Sequence, residues 1–346
     1  MAQLCHRAEA AERNHDPAEA AAVHNLAALL ASDCGLPDLA RQWCHRQADV
    51  YLRACPLGPQ AARHALEPLV NLARLHIRAD DGECAYRLIH TLFEAVSTRT
   101  NTVIDGLAVP AADLTTSPQA HSEVRRWLWS TLLATGARAL AVTGRWDDAR
   151  NSLLQYKGIG LRMLDGRQVD VLAHATAGDL DGARALCDTT APGEPWEAVV
   201  TACLSRLCGA PTPTSTLVEQ YRSLLEGQPR STNGDHTLSV FLTRLGLTLL
   251  DLTRSGGATP TVVVSQVTRC RDGYAARDLL EHDGGTAALS NAQHAALSDL
   301  VQACALGVPE KAQPLLPCLE AALITSEAVI ARSVRPARRN IEPQKL

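Results

Sequence analysis

Two places in the chain set a cysteine beside a histidine, Cys5-His6 and Cys44-His45. These are the residue types of a thiol nucleophile and its base. Adjacent residues on a helix point about 100° apart, so neither pair is expected to act as a unit. His76 and His90 lie near Cys84 and could meet across a helical hairpin as metal ligands, but a hydrogen-bonded histidine is the plainer expectation. The chain has no P-loop, no GxGxxG turn, no GxSxG elbow, no HExxH and no CxxC. The sequence therefore predicts no catalytic residue, no cofactor and no metal. What remains is arginine, which greatly outnumbers the only lysines, Lys157, Lys311 and Lys345. Its planar fork suits carboxylate or phosphate.

The elements that must position such groups are helices. Apolar residues make up 46% of the 346 residues but aromatics only 3%, so the core is built from Ala, Leu and Val. Ala and Leu favour helix. A net charge of −4 argues against general nucleic-acid binding, which asks for a basic excess. The Ala and Arg bias is that of a GC-rich genome, such as an actinobacterial one. The sequence has no run of 18 apolar residues and its first residues lack an apolar signal core, so a cytoplasmic protein with no membrane span is expected. The 11 cysteines are scattered and odd in number, and most are expected to be small buried hydrophobes in a reducing compartment.

A phrase repeats along the chain. Gly144-Arg145-Trp146-Asp147-Asp148-Ala149-Arg150 returns 34 residues later as Gly178-Asp179-Leu180-Asp181-Gly182-Ala183-Arg184. Gly35-Leu36-Pro37-Asp38-Leu39-Ala40-Arg41 is an upstream copy, and Asp80-Asp81-Gly82-Glu83-Cys84-Ala85-Tyr86 a looser one. Gly ends the first helix of a hairpin, Asp or Pro opens the second, and Ala lets the two backbones approach. Ala28 with Ala40, Ala73 with Ala85, and Ala137 with Ala149 form the small pairs, each 12 apart, and Val171 replaces the first Ala in the fourth unit. A period near 34 is that of stacked helical hairpins. On these residues the chain resembles the tetratricopeptide-repeat family. Pro195 falls where that family closes a unit.

The resemblance implies an all-α, right-handed α-solenoid of antiparallel helix hairpins, degenerate in its C-terminal half. It also implies an inner face made by five positions of each unit. With units starting at Ala21, Leu66 and Ser130, those positions are Asn25, Arg74, Arg78 and Arg138, with Asn71 beside them. This set is similar to the family's carboxylate-holding grooves, although the family's usual lysines are missing. The implied partner is a peptide or protein with acidic or carboxylate groups, held by a non-catalytic scaffold that is regulatory or accessory to specialised metabolism.

In chain order, residues 1–96 are expected to hold the N-terminal hairpins: a lead-in helix to Asn14, then helices at Ala18–Ser32, Pro37–Arg53, Ala61–Arg78 and Glu83–Val96. Residues 97–118 form an insertion in which Val, Ile and Thr surround Asp105-Gly106, the composition of a short hairpin. It is expected to pack over helix ends; as a ligand-covering lid it would support a second reading, an enzyme or enzyme-assisting protein of natural-product biosynthesis. Residues 119–210 hold the central hairpins. They begin with a long helix carrying Arg125, Arg126, Trp127 and Trp129, whose two tryptophans must diverge. Residues 211–334 form a degenerate helical part, with a helix opened by Pro260 and running to about His282 and another at Glu310–Ser333. Its apolar helix Leu238–Thr253 would be the interface under a third reading, an oligomerisation module. Residues 335–346 are a basic tail.

Overall fold

The computed structural model describes residues 2–228, 238–253 and 258–334. The loop expected at Gln228–Asp235, apart from Gln228 itself, the helix end at Ser255-Gly256-Gly257 and the tail from Arg335 lie outside these. The described chain is all-α, with one two-stranded sheet. Its elements are α1 Ala2–Asn14, α2 Pro17–Asp33, α3 Pro37–Leu52, α4 Pro59–Arg78, α5 Gly82–Thr98, β1 Thr102–Ile104, β2 Leu107–Val109, α6 Pro118–Thr131 and α7 Ala137–Val142. There follow α8 Trp146–Gln155, α9 Asp165–Thr176, α10 Leu180–Asp188, α11 Pro195–Leu207, α12 Thr214–Glu226, α13 Ser239–Leu252 and α14 Thr259–Cys270. The last are α15 Gly273–Glu281, α16 Asp283–Thr286, α17 Asn291–Ala303, α18 Pro309–Ala312 and α19 Leu316–Val334.

The chain divides into two compact units, residues 1–144 with 307–346, and residues 145–306. In the first unit, α2, α3, α4 and α5 pack in sequence, each on the next. Asp16 caps α2 through its side chain, Pro sits at the start of α2, α3 and α4, and Gly35 takes a φ of +78° to turn α2 into α3. The small positions Ala28, Ala40, Ala73 and Ala85 are all buried. Trp43, Leu66, Leu69, Ile89, Leu92 and Leu128 fill the core, each contributing about 1.5–3 kcal/mol by burial. In the looser copy, Asp80 rather than a glycine takes the left-handed turn, and Gly82 opens α5. The glycine is needed there for a different reason: a Cβ would overlap the Ala139 carbonyl oxygen of α7.

The stretch expected as one long helix is α6 and α7 joined through a π-helical turn at Leu132–Gly136. The clearest repeat phrase has the expected local form, with Gly144 at φ +72° ahead of α8, yet the boundary between the two units falls at Gly144.

The insertion is a β-hairpin with Asp105 and Gly106 both at positive φ, as a tight hairpin turn requires. It is held on two sides. Asp105 accepts hydrogen bonds from Arg41 and, at 2.8 Å, pairs with His45 Nε2, both on α3. Leu57 N donates to the Leu114 carbonyl, and the Leu57 carbonyl accepts from Thr116 N, each at 2.9 Å. Ile104, Val109, Ala111 and Leu114 are buried.

The first unit is completed by its C-terminal helix, which packs on α1, α2 and α3. Expected as one helix, it is broken into α18 and α19 by a 3₁₀ turn containing Pro314. By length and composition alone Pro309–Val334 is long and apolar enough to cross a membrane, and 33% of its most apolar window is buried. Charges on α19 serve contacts within the unit: Glu327 pairs with buried His24 at 3.1 Å and with Arg46 at 2.8 Å. Burial raises the Glu327 pKa, but His24 and Arg46 outweigh it and hold the carboxyl below its ordinary value. A disulfide joins Cys5 of α1 to Cys318 of α19, so these two cysteines depart from the reduced state expected.

In the second unit, α9 and α10 form a hairpin turned by Gly178, and Asp179 caps α10. Val171 and Ala183, the matching small positions, are buried. The helix expected from Pro260 to His282 breaks at Arg271, whose φ is +50°, and Asp272 then caps α15. The apolar helix expected as an oligomer interface is α13, and it is spent on its own core: Leu242, Leu245, Leu249 and Leu250 are buried with Tyr221, Val263 and Leu279.

Candidate functional site

Four of the five residues that the family resemblance placed on the inner face come together between α2 and α4, in two clusters. Asn71 Nδ2 donates to Asn25 Oδ1 at 3.2 Å, and Arg74 Nη1 donates to Asn71 Oδ1 at 2.9 Å. Residues 71, 74 and 78 recur at helical spacing on α4. Asn71 is buried, so its amide must be satisfied, and Asn25 and Arg74 satisfy it. Glu67, one turn earlier, joins this seam. Its carboxyl is held below its ordinary value by His64 first, against burial, with Asn25 and Arg74 adding. Arg78 Nη1 donates to Ser32 Oγ at 2.5 Å and pairs with Asp33 Oδ1 at 2.8 Å, fastening the end of α4 to the end of α2. Its partner is thus Asp33 rather than the neighbouring Asp80, Asp81 or Glu83. Arg138 stands apart on α7 and is exposed.

A second basic surface was not assigned from the repeat positions. Ser122, Arg125, Arg126 and Trp129 recur at i, i+3, i+4 and i+7 on α6 and share one face. With Phe93 of α5 they line a groove of about 310 Å³. Both arginines are exposed, and among the described residues neither forms an ion pair. Glu123 on the same helix is engaged by Gln119 at 2.9 Å. Burial, with the positive charges of Arg99 and Arg125, holds His121 below its ordinary pKa, which marks this end of α6 as electropositive. Ser117 and Pro118 start the helix: the Ser117 hydroxyl accepts from Ala120 N, and Pro occupies the first position. The tryptophans diverge as expected. Trp127 takes the Arg63 guanidinium over its ring at 5.4 Å, and Trp129 turns to the groove, 37% exposed.

No family model, curated protein or solved structure matches this chain.

The cysteine–histidine neighbours are divided as helix geometry requires. Burial, with the charge of Asp105, pushes the Cys44 thiol up to about 12, while His45 turns to Asp105. Cys5 is disulfide-bonded, and His6 lies 3.8 Å from Glu9. Cys34, Cys44, Cys187, Cys203, Cys208 and Cys270 are buried, as expected of small hydrophobes. His90 packs on Tyr86 with ring centroids 5.6 Å apart. His76 does approach Cys84, in the company of Asp81. The signal for the α6 face was present in the sequence as the spacing of Ser122, Arg125, Arg126 and Trp129. It was passed over because the repeat register, not the helix's own periodicity, selected the arginines.

Proposed function

We propose that the paired helices form a tetratricopeptide-type, right-handed array, and that the α6 face holds an acidic segment of a peptide or protein partner. The observation that carries this reading is the meeting of two arginines without ion pairs, a half-exposed tryptophan and a phenylalanine along one groove. Arginine forks take carboxylates in pairs, and an indole offers a broad apolar face at small entropic cost. Aromatic and arginine side chains are those most enriched where binding energy concentrates. Arg78, in contrast, already ties α4 to α2, and Arg74 is engaged by Asn71 within α4. The insertion supports a scaffold over a lidded enzyme, since Asp105 and Leu57 tie it at both sides.

The test uses Trp129 as its own reporter. An acidic peptide containing an aromatic residue is titrated against the full chain while tryptophan fluorescence is followed. A saturable change is expected that disappears in Trp129→Phe and weakens with added salt. Absence of saturation, or equal affinity in an Arg125→Ala/Arg126→Ala variant, would reject the reading.

A further inference from the structure

We propose that His76, Asp81 and Cys84 form a site for one divalent transition-metal ion, zinc by the chemistry of its donors, with a fourth position open to solvent. The three residues lie on the turn between α4 and α5. Each offers one ligand atom, and these atoms all lie within 4.8 Å of one another. His76 Nδ1 and Asp81 Oδ2 are 3.2 Å apart. Zinc binds imidazole nitrogen and carboxylate oxygen at about 2.0–2.1 Å, and at a tetrahedral angle this sets the two ligands about 3.3 Å apart. The observed spacing of this ion pair also matches that of two ligands on one ion. Thiolate sulfur stands slightly farther from zinc, at about 2.3 Å, and Cys84 Sγ lies within 4.8 Å of both other donors.

The local fold prepares each donor. His76 lies in the last turn of α4, and its carbonyl accepts the Asp81 amide at 2.9 Å. Asp81 caps α5: Oδ1 accepts the Cys84 amide at 3.1 Å, which leaves Oδ2 turned to His76. Arg87, one turn further on, donates through Nη2 to Cys84 Sγ at 3.5 Å. A hydrogen-bonded carboxylate and a thiol facing a guanidinium are the outer partners that orient metal ligands and tune them. His76 and Cys84 are half-buried and Asp81 is exposed, so an ion can reach them from solvent. A thiolate and a carboxylate together neutralise a divalent ion, with the imidazole neutral. Binding then forms a sulfur–metal bond and releases the Cys84 thiol proton to solvent, so affinity rises with pH. One nitrogen, one sulfur and one oxygen suit zinc or cobalt over magnesium or calcium, which prefer oxygen alone.

Co²⁺ is the probe. The full chain, with exposed thiols kept reduced, is titrated with Co²⁺ and followed by the thiolate-to-cobalt charge-transfer band, then by displacement with Zn²⁺ and metal analysis after dialysis. One ion per chain is expected, with the band lost in Cys84→Ser. Asp81→Asn retains the capping oxygen but loses the charge. It and His76→Gln should each weaken binding by more than the roughly 10–100-fold that loss of an outer partner costs. Cys304→Ser removes an exposed thiol elsewhere and should change nothing. Circular dichroism checks that each variant is folded. No uptake by the wild-type chain, a band that survives Cys84→Ser, or equal affinity in Asp81→Asn and His76→Gln would overturn the proposal and leave a structural turn only.

Discussion

The α2–α4 seam and the α6 face both gather polar groups around two arginines, but they use them in opposite ways. In the seam, Arg74 and Arg78 answer groups of the same chain: a buried amide in one case and the Ser32–Asp33 pair in the other. On α6, Arg125 and Arg126 stand over a groove with an aromatic wall and form no ion pair among the described residues. A guanidinium has five donors and a permanent charge wherever it sits. What separates a structural arginine from one that can hold a ligand is whether the fold brings it a partner, and that depends on residues distant in sequence. Asp33 lies 45 positions from Arg78, so no local pattern pairs them.

The contrast can be broken or sharpened experimentally. The largest effect is expected from Gly82→Ala, which drives a Cβ into the α7 backbone and displaces α5, the wall of the α6 groove. Overpacking of this kind costs about 1–3 kcal/mol or more, read as a lower midpoint in denaturant melts. Next is Asn71→Ala. It removes a buried amide and its bonds to Asn25 and Arg74, for a loss of about 1–3 kcal/mol with peptide affinity unchanged. Smaller again, Arg78→Ala should cost about 0.5–1 kcal/mol, because its ion pair is partly exposed, whereas Arg125→Ala should stay within about 0.5 kcal/mol of wild type.

The smallest effect concerns protons. His121 is held below its ordinary value, near 6.5, by burial and by Arg99 and Arg125. In the free protein its protonation is thus disfavoured on folding, and stability declines as pH falls below that value. An acidic partner that offsets the arginine charges should raise the His121 pKa, and NMR titration with and without peptide should show the upward shift. Affinity should then increase modestly as pH falls through that range.

Much of the fold was legible in the sequence. Gly35, Gly144 and Gly178 take the positive φ that ends a helix, Asp105-Gly106 makes the hairpin turn, and the small alanines are buried. These features are local, and their physics is local too. What the sequence hid is long-range or cooperative. The packing of α19 on α1 and α2, and the Cys5–Cys318 link, join residues some 300 positions apart. Arg271 ends α14 in a left-handed conformation that glycine, not arginine, normally advertises. Of the candidate site, the repeat register named Asn25, Arg74 and Arg78 with Asn71 beside them, and these four meet between α2 and α4. That Asn71, Arg74 and Arg78 have partners within the chain could not be read, since burial and pairing belong to the packed chain.

Two double charge reversals, compared side by side, test the account most directly. Arg125→Glu/Arg126→Glu and Arg74→Glu/Arg78→Glu are each titrated with the same acidic peptide by fluorescence anisotropy and each melted. The first is expected to lose at least about 100-fold in affinity with its melt unchanged, since attraction becomes repulsion at the site of contact. The second is expected to melt earlier and, while folded, to bind as wild type does. Loss of affinity in the second with none in the first would contradict the account and return the binding surface to α2 and α4.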